Sequence, residues 1–257
     1  MELGLKGKVV AITGGTDGIG KAAALMFARE GAKVAVCGRD AGRVEATRAD
    51  LAKLGGDPLA LAADIGTENG VKSFIEAILT RHGRLDILVN NAGTSMRGKF
   101  LEVGDDQWQA DIDLKVFGAL RCCRLAIPHM QKQGGGRIIN ITISSAKQPG
   151  AESMPTSVSR AAGLAITKAL SKEFAPDNIL VNTVCIGKIK SGQHQRRYEK
   201  AGISADEYYG KMTKDIPMKR VGEAEEAAAA IVFLASGAAS YVTGTSINLD
   251  GGISGTL

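Results

Sequence analysis

The amino-acid sequence predicts an α/β fold, a doubly wound parallel sheet of about seven strands with helices on both faces. Short apolar runs rich in β-branched residues alternate with longer amphipathic segments along the chain. A glycine-rich turn follows the first apolar run and opens the first helix, which is typical of a Rossmann fold. Because no repeat or low-complexity linker interrupts the pattern, we expect one domain over residues 1–257.

The individual elements follow from the spacing of apolar residues. Strands are predicted where apolar runs are short and β-branched, at residues 9–13, 33–37, 59–63, 87–90, 137–143, 180–184 and 246–249. Helices are predicted where apolar residues recur every three or four positions, at residues 20–30, 71–81, 108–131, 159–174 and 223–235. In such a sheet, ligands bind beyond the carboxyl ends of the strands.

A long polar segment, residues 187–222, separates the sixth predicted strand from the next helix. Connections of this length in a compact domain are usually lids or binding segments. Because the segment follows the carboxyl end of a strand, we expect it to cover a ligand, and we call it the lid. It carries polar and aromatic side chains that suit a small and anionic ligand, namely His194, Arg196, Arg197, Tyr208 and Tyr209.

Composition and charge exclude several classes of function. The net charge is +5 and the basic residues are spread along the chain, so no nucleic-acid partner is expected. No secretory signal or membrane-spanning apolar run is evident, which predicts no membrane association and a cytoplasmic protein. The four cysteines lack zinc-type spacing, and we expect buried, reduced thiols and no metal site.

The turn after the first strand predicts a dinucleotide site. It reads Thr-Gly-Gly-Thr-Asp-Gly-Ile-Gly over residues 13–20. Its glycines permit a tight turn and a close approach to a pyrophosphate, and the following helix N-terminus offers free amide hydrogens and a partial positive charge. The predicted cofactor residues of this loop are Gly14, Thr16, Asp17, Gly18, Ile19 and Gly20.

The end of the second strand favours NADP(H) over NAD(H). An acid at this point would accept hydrogen bonds from the ribose hydroxyls of NAD, but none precedes Arg39 in the run from Val36. The guanidinium of Arg39 can instead bind a 2′-phosphate through two hydrogen bonds. Asp17 and Asp40 add negative charge nearby, and an Arg39 that is merely solvated at a helix start stays open as the alternative.

Several motifs together resemble the classical short-chain dehydrogenases/reductases, over nearly the whole chain from Lys6 to Gly252. They are the glycine loop, Asp64 after the third strand, the turn at residues 90–93 and the segment at residues 248–252. The resemblance implies an adenine contact by Asp64, a small-molecule substrate, and a homodimer or homotetramer. The other cofactor residues expected from it are Ile65, Asn91, Ala92, Gly93, Arg160, Gly187 and Ile189.

The resemblance also implies a reaction group of asparagine, serine, tyrosine and lysine, and this sequence departs from it at all four positions. Lys-Val-Phe-Gly at 115–118 resembles the Asn-Val-x-Gly helix and places Lys115 at the asparagine. Asn-Ile-Thr-Ile at 140–143 resembles the strand that places Ile143 at the serine. Ser144 is the next residue, although one step along a strand turns a side chain to the other face unless a bulge intervenes.

The remaining two positions lie in Thr-Ser-Val-Ser-Arg-Ala-Ala at residues 156–162, which resembles Tyr-x-x-Ser-Lys-Ala-Ala. The match places Thr156 at the tyrosine and Arg160 at the lysine. A threonine hydroxyl has a far higher pKa than an activated phenol, and an arginine keeps the positive charge without giving up its proton. Cofactor binding is therefore expected to survive better than proton transfer.

Two functions stay open. One is an NADP(H)-dependent oxidoreductase that reduces or oxidises a small carbonyl, alcohol or enoyl compound by a non-standard proton route through residues such as Lys115 and Thr156. A crowded lysine near Arg160 would have a lowered pKa and could act as an acid, whereas a Lys115 that is paired with Asp111 or Asp113, or solvated, would not. The other is a catalytically silent NADP(H)-binding or regulatory subunit.

A third function, a lyase of the halohydrin dehalogenase kind, is disfavoured. Those enzymes resemble this chain in using arginine at the lysine position, but they keep the serine and the tyrosine and lose the nucleotide glycine loop. This sequence has the opposite pattern, because its glycine loop at residues 13–20 is intact and its serine and tyrosine positions are changed.

Overall fold

The computed structural model describes residues 2–256 and contains a seven-stranded parallel sheet. The strands are β1 (Val9–Thr13), β2 (Lys33–Gly38), β3 (Leu59–Ala62), β4 (Ile87–Asn90), β5 (Gly136–Ile143), β6 (Ile179–Ile186) and β7 (Ser246–Leu249). Their order across the sheet is β3-β2-β1-β4-β5-β6-β7. The order reverses between β1 and β4, where an open α/β sheet forms its ligand-binding crevice. The predicted fold class is confirmed.

The helices cover both faces of the sheet. They are α1 (Gly18–Arg29), α2 (Ala41–Ala52), α3 (Glu68–His82), α4 (Asp105–Ile112), α5 (Gly118–Lys132), α6 (Thr156–Glu173), α7 (Gly192–Ala201), α8 (Ala205–Met212) and α9 (Ala224–Ala235). One buried layer joins Ile12 of the sheet to Phe27 of α1 and Ile231 of α9. The opposite layer includes Phe74 of α3 and Met130 of α5. Burial on both faces explains why the strands read as continuous apolar runs.

The structure corrects the predicted helix at 108–131. A π-helical turn, Asp113–Phe117, separates α4 from α5. The apolar residues keep a helical spacing across the junction. The sequence pattern therefore does not reveal that a π-helical turn contains one residue more than an α-helical turn. Such turns are frequently found at functional sites, and this one contains the buried Lys115.

The structure also adds α2, which sequence analysis did not predict. The apolar signal of α2 is sparse, because only Val44, Thr47 and Leu51 of its residues are buried. Its start is nevertheless marked in the sequence, since the Asp40 side chain accepts a hydrogen bond from the Arg43 amide as an N-cap.

The lid contains two short helices, α7 and α8, and its two ends are joined by a parallel bridge between Ile189 and Gly222. The lid is therefore anchored at its base beside the carboxyl end of β6. The four cysteines are buried and unpaired, as expected. Among residues 2–256, no helix has both the length and the apolar character to cross a membrane.

Candidate active site

A cleft of about 1120 Å³ opens beyond the carboxyl ends of the strands. It is lined by loops that follow β1 to β6 and by residues of the lid. The structure brings fourteen of the predicted cofactor residues to its walls: Gly14, Thr16, Asp17, Gly18, Ile19, Arg39, Asp64, Ile65, Asn91, Ala92, Gly93, Arg160, Gly187 and Ile189. The remaining one, Gly20, is buried beneath the loop.

The glycine loop and the turn after β4 form one unit. Gly14 and Gly18 have φ angles of +64° and +49°, which favour glycine. A Cβ at Gly20 would lie under 3.0 Å from the Gly14 carbonyl oxygen and from Asn91 Nδ2. Asn91 Nδ2 in turn donates to the carbonyl oxygens of Thr13 and Gly14, at 3.0 Å each. The loop that would hold a pyrophosphate is thus braced from behind by a side-chain amide.

The end of the cleft beside β2 carries a second arginine, which sequence analysis missed. Arg43 lies on the cleft wall near Arg39 and pairs with Asp17 at 3.3 Å and with Asp40 at 3.2 Å. Hydrogen bonds from the Arg43 amide and side chain hold the pKa of Asp40 below its usual value. Arg43 therefore offsets the acidic charge that weighs against a 2′-phosphate. Arg43 could have been found from the sequence, because it lies three residues after Asp40 and residues at this spacing are neighbours on a helix.

At the opposite end of the cleft, Thr156 lies at the start of α6 and joins three other buried side chains. Thr156 Oγ1 accepts a hydrogen bond from Lys115 Nζ at 2.7 Å and another from the Met96 amide at 2.9 Å. Lys115 Nζ also donates to Asp111 Oδ1, and Ser159 Oγ donates to Asp111 Oδ2 at 2.6 Å. We call Asp111, Lys115, Thr156 and Ser159 the buried network.

The position of Lys115 is behind the cleft rather than on its wall. Its side chain is fully buried and ion-paired with Asp111, while Thr156 lines the cleft in front of it. Burial and, to a smaller extent, the charge of Arg160 lower the pKa of Lys115 to about 8, against the opposing effect of Asp111. Lys115 therefore combines the ion pair and the lowered pKa that the sequence presented as alternatives.

Arg160 follows Thr156 by one helical turn and lies under the Gly93 turn. Its Nη1 donates to the Ile141 carbonyl oxygen at 2.6 Å, and its buried Nε has no hydrogen-bond partner. A Cβ on Gly93 would collide with Arg160 Nη2, so the guanidinium fills the space that this glycine leaves open. Burial lowers the pKa of Arg160 to about 10, which still leaves it charged at neutral pH.

Ile143 and Ser144 both line the cleft. Strand alternation, which would have turned Ser144 to the other face, does not apply at this position. Strand β5 ends at Ile143, and a 3-10 turn, Ser144–Ala146, begins at the next residue. Because the alternation of side chains holds only within a strand, the turn brings Ser144 to the same wall.

Comparisons with known proteins agree with this geometry. A profile of the family described as enoyl-(acyl carrier protein) reductase matches residues 14–254. The chain belongs to the short-chain dehydrogenase/reductase family. An uncharacterized oxidoreductase of Thermotoga maritima is 37% identical over 254 residues, covering 97% of this chain and 98% of that protein. A 3-oxoacyl-acyl-carrier-protein reductase of Thermotoga maritima is 34% identical over 253 residues, covering 97% and 98%.

Solved structures of short-chain dehydrogenases/reductases extend the likeness to the whole chain. L-sorbose reductase from Gluconobacter frateurii, in complex with NADPH and L-sorbose, superposes with a TM-score of 0.95. The two chains are 35% identical, and the match covers 100% of each. The family is therefore one of oxidoreductases, and its structural relatives include a reductase bound to NADPH.

The lid of this short-chain dehydrogenase/reductase lies across the cleft. Gln193 Nε2 donates to the Gly93 carbonyl oxygen at 3.3 Å, and the Ser95 amide donates to Gln193 Oε1 at 3.4 Å. Arg196 pairs with Asp17 of the glycine loop at 3.0 Å. Helix α7 therefore connects the glycine loop to the turn after β4.

An aromatic cluster packs α7 against α8. His194 lines the cleft, and its Nδ1 lies 2.9 Å from the Tyr208 hydroxyl. Tyr198, Tyr208 and Tyr209 pack against one another with ring centroids 5.5 to 6.1 Å apart. Burial and the charge of Arg197 lower the pKa of His194, which favours its neutral form. The sequence identified His194, Tyr208 and Tyr209 but not the hydrogen bond between His194 and Tyr208.

Proposed function

We propose that this short-chain dehydrogenase/reductase is an NADP(H)-dependent oxidoreductase of a small carbonyl, alcohol or enoyl compound, with Thr156 as its proton donor. The hydrogen bonding of the Thr156 hydroxyl carries the proposal. Lys115 Nζ and the Met96 amide both donate to its oxygen, so both lone pairs are used. The hydroxyl hydrogen is the remaining donor; it is directed at Asp111 Oδ1 at 3.3 Å, longer than a usual O–H···O bond, and Thr156 lines the cleft where a substrate oxygen would lie.

The cleft residues fit an NADP(H) molecule. The positive φ angles of Gly14 and Gly18 and the N-terminus of α1 suit a pyrophosphate. Arg39, which forms no ion pair within residues 2–256, would bind the 2′-phosphate, and Asp64 would contact the adenine. The unpartnered Nε of Arg160 suits the nicotinamide ribose. When bound, the reduced cofactor supplies the hydride, and the NADPH complex of L-sorbose reductase supports this choice.

The proton route runs through the buried network. In reduction, Thr156 Oγ1 gives its hydrogen to the substrate oxygen and takes one from Lys115 Nζ, 2.7 Å away. With a pKa of about 8, Lys115 is charged at pH 7 and can still release a proton, as an efficient general acid requires. Asp111 is a positioning residue that holds the ammonium against Thr156. Because reduction needs the protonated lysine, kcat/KM should fall as the pH rises through about 8.

The remaining parts of the proposal concern the assembly and the location. We propose that residues 1–257 form one domain in which the lid, residues 187–222, closes over the substrate. We also propose a cytoplasmic homodimer or homotetramer. The exposed fractions of Phe100, Leu101 and Tyr241 are 65%, 94% and 102%, and exposed apolar side chains of this size favour contact between copies.

One contact favours the alternative, a catalytically silent NADP(H)-binding subunit. Asp111 Oδ1 lies 3.3 Å from Thr156 Oγ1 and can accept the hydroxyl hydrogen. If that bond persists with substrate present, the cleft has no proton donor at Thr156. The two functions therefore differ in whether a bound carbonyl oxygen displaces Asp111 as the acceptor.

Thr156 variants test the proton route. NADPH oxidation is followed against a panel of ketones and enoyl compounds with the wild type, Thr156→Val and Thr156→Ser. We expect Thr156→Val to lower kcat/KM by about 10² to 10⁴-fold, the usual contribution of general acid catalysis, and Thr156→Ser to keep most of the activity. NADPH binding by fluorescence controls for folding. Equal activity of Thr156→Val would exclude the route, and NADPH binding without turnover in the wild type would establish the silent alternative.

Arg39 variants test the cofactor choice. A guanidinium bound to a phosphate contributes about 1.5–3 kcal/mol, so Arg39→Gln should weaken NADPH binding about tenfold to hundredfold. NADH lacks the 2′-phosphate and should bind nearly as before. Fluorescence titration with both cofactors measures the ratio. Tighter binding of NADH than of NADPH to the wild type would contradict the NADP(H) assignment.

A further inference from the structure

The charges that line the cleft are divided between its two ends. The acidic residues on its walls, Asp17, Asp40 and Asp64, all follow β1, β2 or β3. Beyond β4 to β6 and in the lid, the cleft walls formed by residues 2–256 hold no carboxylate. One cation on those walls, Arg196, pairs with Asp17. The other cations there are Arg97, Arg160, Lys188 and Arg197.

These cations have no carboxylate within ion-pair distance among the described residues. Lys188 Nζ donates to the Met212 carbonyl oxygen at 3.0 Å, and Arg160 donates to a carbonyl oxygen as well. Arg43 of α2 and Arg196 of the lid differ, because both pair with Asp17, and at the other end of the cleft only Arg39 is free of an ion pair among the described residues. A cleft that has low-dielectric walls and is lined by positive charges attracts and concentrates anions. The substrate end of the cleft therefore has positive charge that the protein does not compensate.

Arg97 is placed beside the proposed proton donor by backbone contacts. The amide of the preceding residue, Met96, donates to Thr156 Oγ1, and Arg97 forms an antiparallel bridge with Pro155. The Arg97 side chain is exposed and lines the cleft. An arginine fork matches the two oxygens of a carboxylate. If the carbonyl oxygen of a bound molecule lies at Thr156, a carboxylate close to that carbonyl group would be attracted by the charge of Arg97.

Arg197 lines the same cleft from the lid. It follows His194 by three residues on α7, and its charge is one of the two causes that lower the pKa of that histidine. Helix α7 is held in place across the cleft through Gln193. Arg97 and Arg197 are therefore presented from two separately anchored segments, the loop after β4 and the lid.

We infer that the substrate is an oxo acid whose carboxylate is bound between Arg97 and Arg197 while its carbonyl group faces Thr156. The inference rests on the proposed function and names the substrate class for that site. Arg39 and the glycine loop at the other end of the cleft would hold the cofactor phosphates, and Arg160 is assigned to its ribose. Arg97 and Arg197 are left without a role in cofactor binding.

Binding is measured separately from turnover. The protein loaded with NADP⁺, which cannot reduce a carbonyl, is titrated calorimetrically with pyruvate and with 3-oxobutanoate, each against its methyl ester, which removes the charge and keeps the carbonyl. We expect at least one acid to bind about tenfold to hundredfold more tightly than its ester, since hydrogen bonds to charged groups contribute on that scale. Arg97→Gln and Arg197→Gln should each remove most of that preference and leave NADPH binding unchanged.

Arg124→Gln is the matched control, because Arg124 is an exposed arginine of α5 that is not on the cleft wall. It should bind acids and esters as the wild type does. Equal affinity for acid and ester, or full preference in both Arg97→Gln and Arg197→Gln, would overturn the inference. Tighter binding of dihydroxyacetone phosphate than of either acid would overturn the assignment to a carboxylate.

The two proposals fail in different ways. An oxo acid that binds through Arg97 and is never reduced would refute the proposed turnover and support the carboxylate site. Reduction of neutral ketones, with acid and ester bound equally, would support the proposed function and refute the substrate class.

Discussion

The two ends of the cleft are built in different ways. At the end proposed for the cofactor, which we call the cofactor end, the loop at residues 13–20 is shaped by glycine backbone and braced by Asn91, and its one acidic residue, Asp17, pairs with two arginines. At the reactive end, four buried side chains hold one another, and the central ion pair joins Lys115 to Asp111. The cofactor end depends on local backbone geometry, whereas the reactive end depends on contacts between distant parts of the chain.

The difference predicts how each end responds to substitution. A site made of backbone tolerates changes of side chain unless the added atoms displace the loop. A buried polar network fails when one member is removed, because the remaining members lose their partners. Substitutions at the reactive end should therefore affect stability most, and those at the solvent-exposed edge of the lid least.

The largest effect is expected for Lys115→Met. The substitution leaves Asp111 buried without its cation, and breaking a buried pair costs about 3–5 kcal/mol of unfolding free energy. The double variant Asp111→Leu with Lys115→Met should recover much of the loss, since an apolar pair of similar volume often replaces a buried ion pair at little cost. Urea unfolding measures both. A single variant as stable as the wild type would show that the ion pair is not buried as described.

The same variant gives a pH signature. The folded pKa of Lys115 is about 8, against 10.5 for an ordinary lysine, so between these values the unfolded chain holds a proton that the folded chain has lost. The contribution of this group to the unfolding free energy therefore rises with pH over that window. Subtracting the Lys115→Met profile from that of the wild type should show the rise, and a flat difference from pH 8 to 10 would contradict it.

An intermediate effect is expected for Gly20→Ala. The new Cβ would lie under 3.0 Å from the Gly14 carbonyl oxygen, so the loop or α1 must move. Overpacking of this kind costs about 1–3 kcal/mol, and NADPH binding should weaken because the loop is displaced. Gly56→Ala is the control, since Gly56 is exposed and a Cβ there meets nothing within 4 Å. Unchanged NADPH affinity in Gly20→Ala would separate the packing of α1 from the shape of the loop.

The smallest effect is expected for Arg196→Gln, which removes the ion pair between the lid and Asp17. Both side chains are partly exposed, at 51% and 33%, and such pairs contribute about 0.2–1 kcal/mol. Hydrogen exchange of the α7 amides should become slightly faster. Arg48→Gln removes the exposed pair of Arg48 with Glu45 on α2 and should leave α7 exchange unchanged. Slower exchange in Arg196→Gln would contradict a closing role for this pair.

Much of the cofactor end could be predicted from the sequence, because its signals are local. The spacing of Gly14, Gly18 and Gly20 specifies a turn, and fourteen of fifteen predicted cofactor residues line the cleft. Arg43 was missed because α2 has a weak apolar pattern and its helix start went unrecognised. Whether Ser144 reaches the cleft stayed open in the sequence because the end of β5 is set by the turn that follows and not by apolar alternation.

The sequence by itself determined the fold class, the glycine-rich loop and the residue types at the positions of the family's reaction group, since these depend on short-range spacing. Only the tertiary structure decided what those residues do together. Asp111 and Lys115 are one helical turn apart, but Thr156 is 41 residues beyond Lys115. Their contact requires the π-helical turn and the docking of α6 against it. Burial then lowers the pKa of Lys115, a property that no local pattern in the sequence contains.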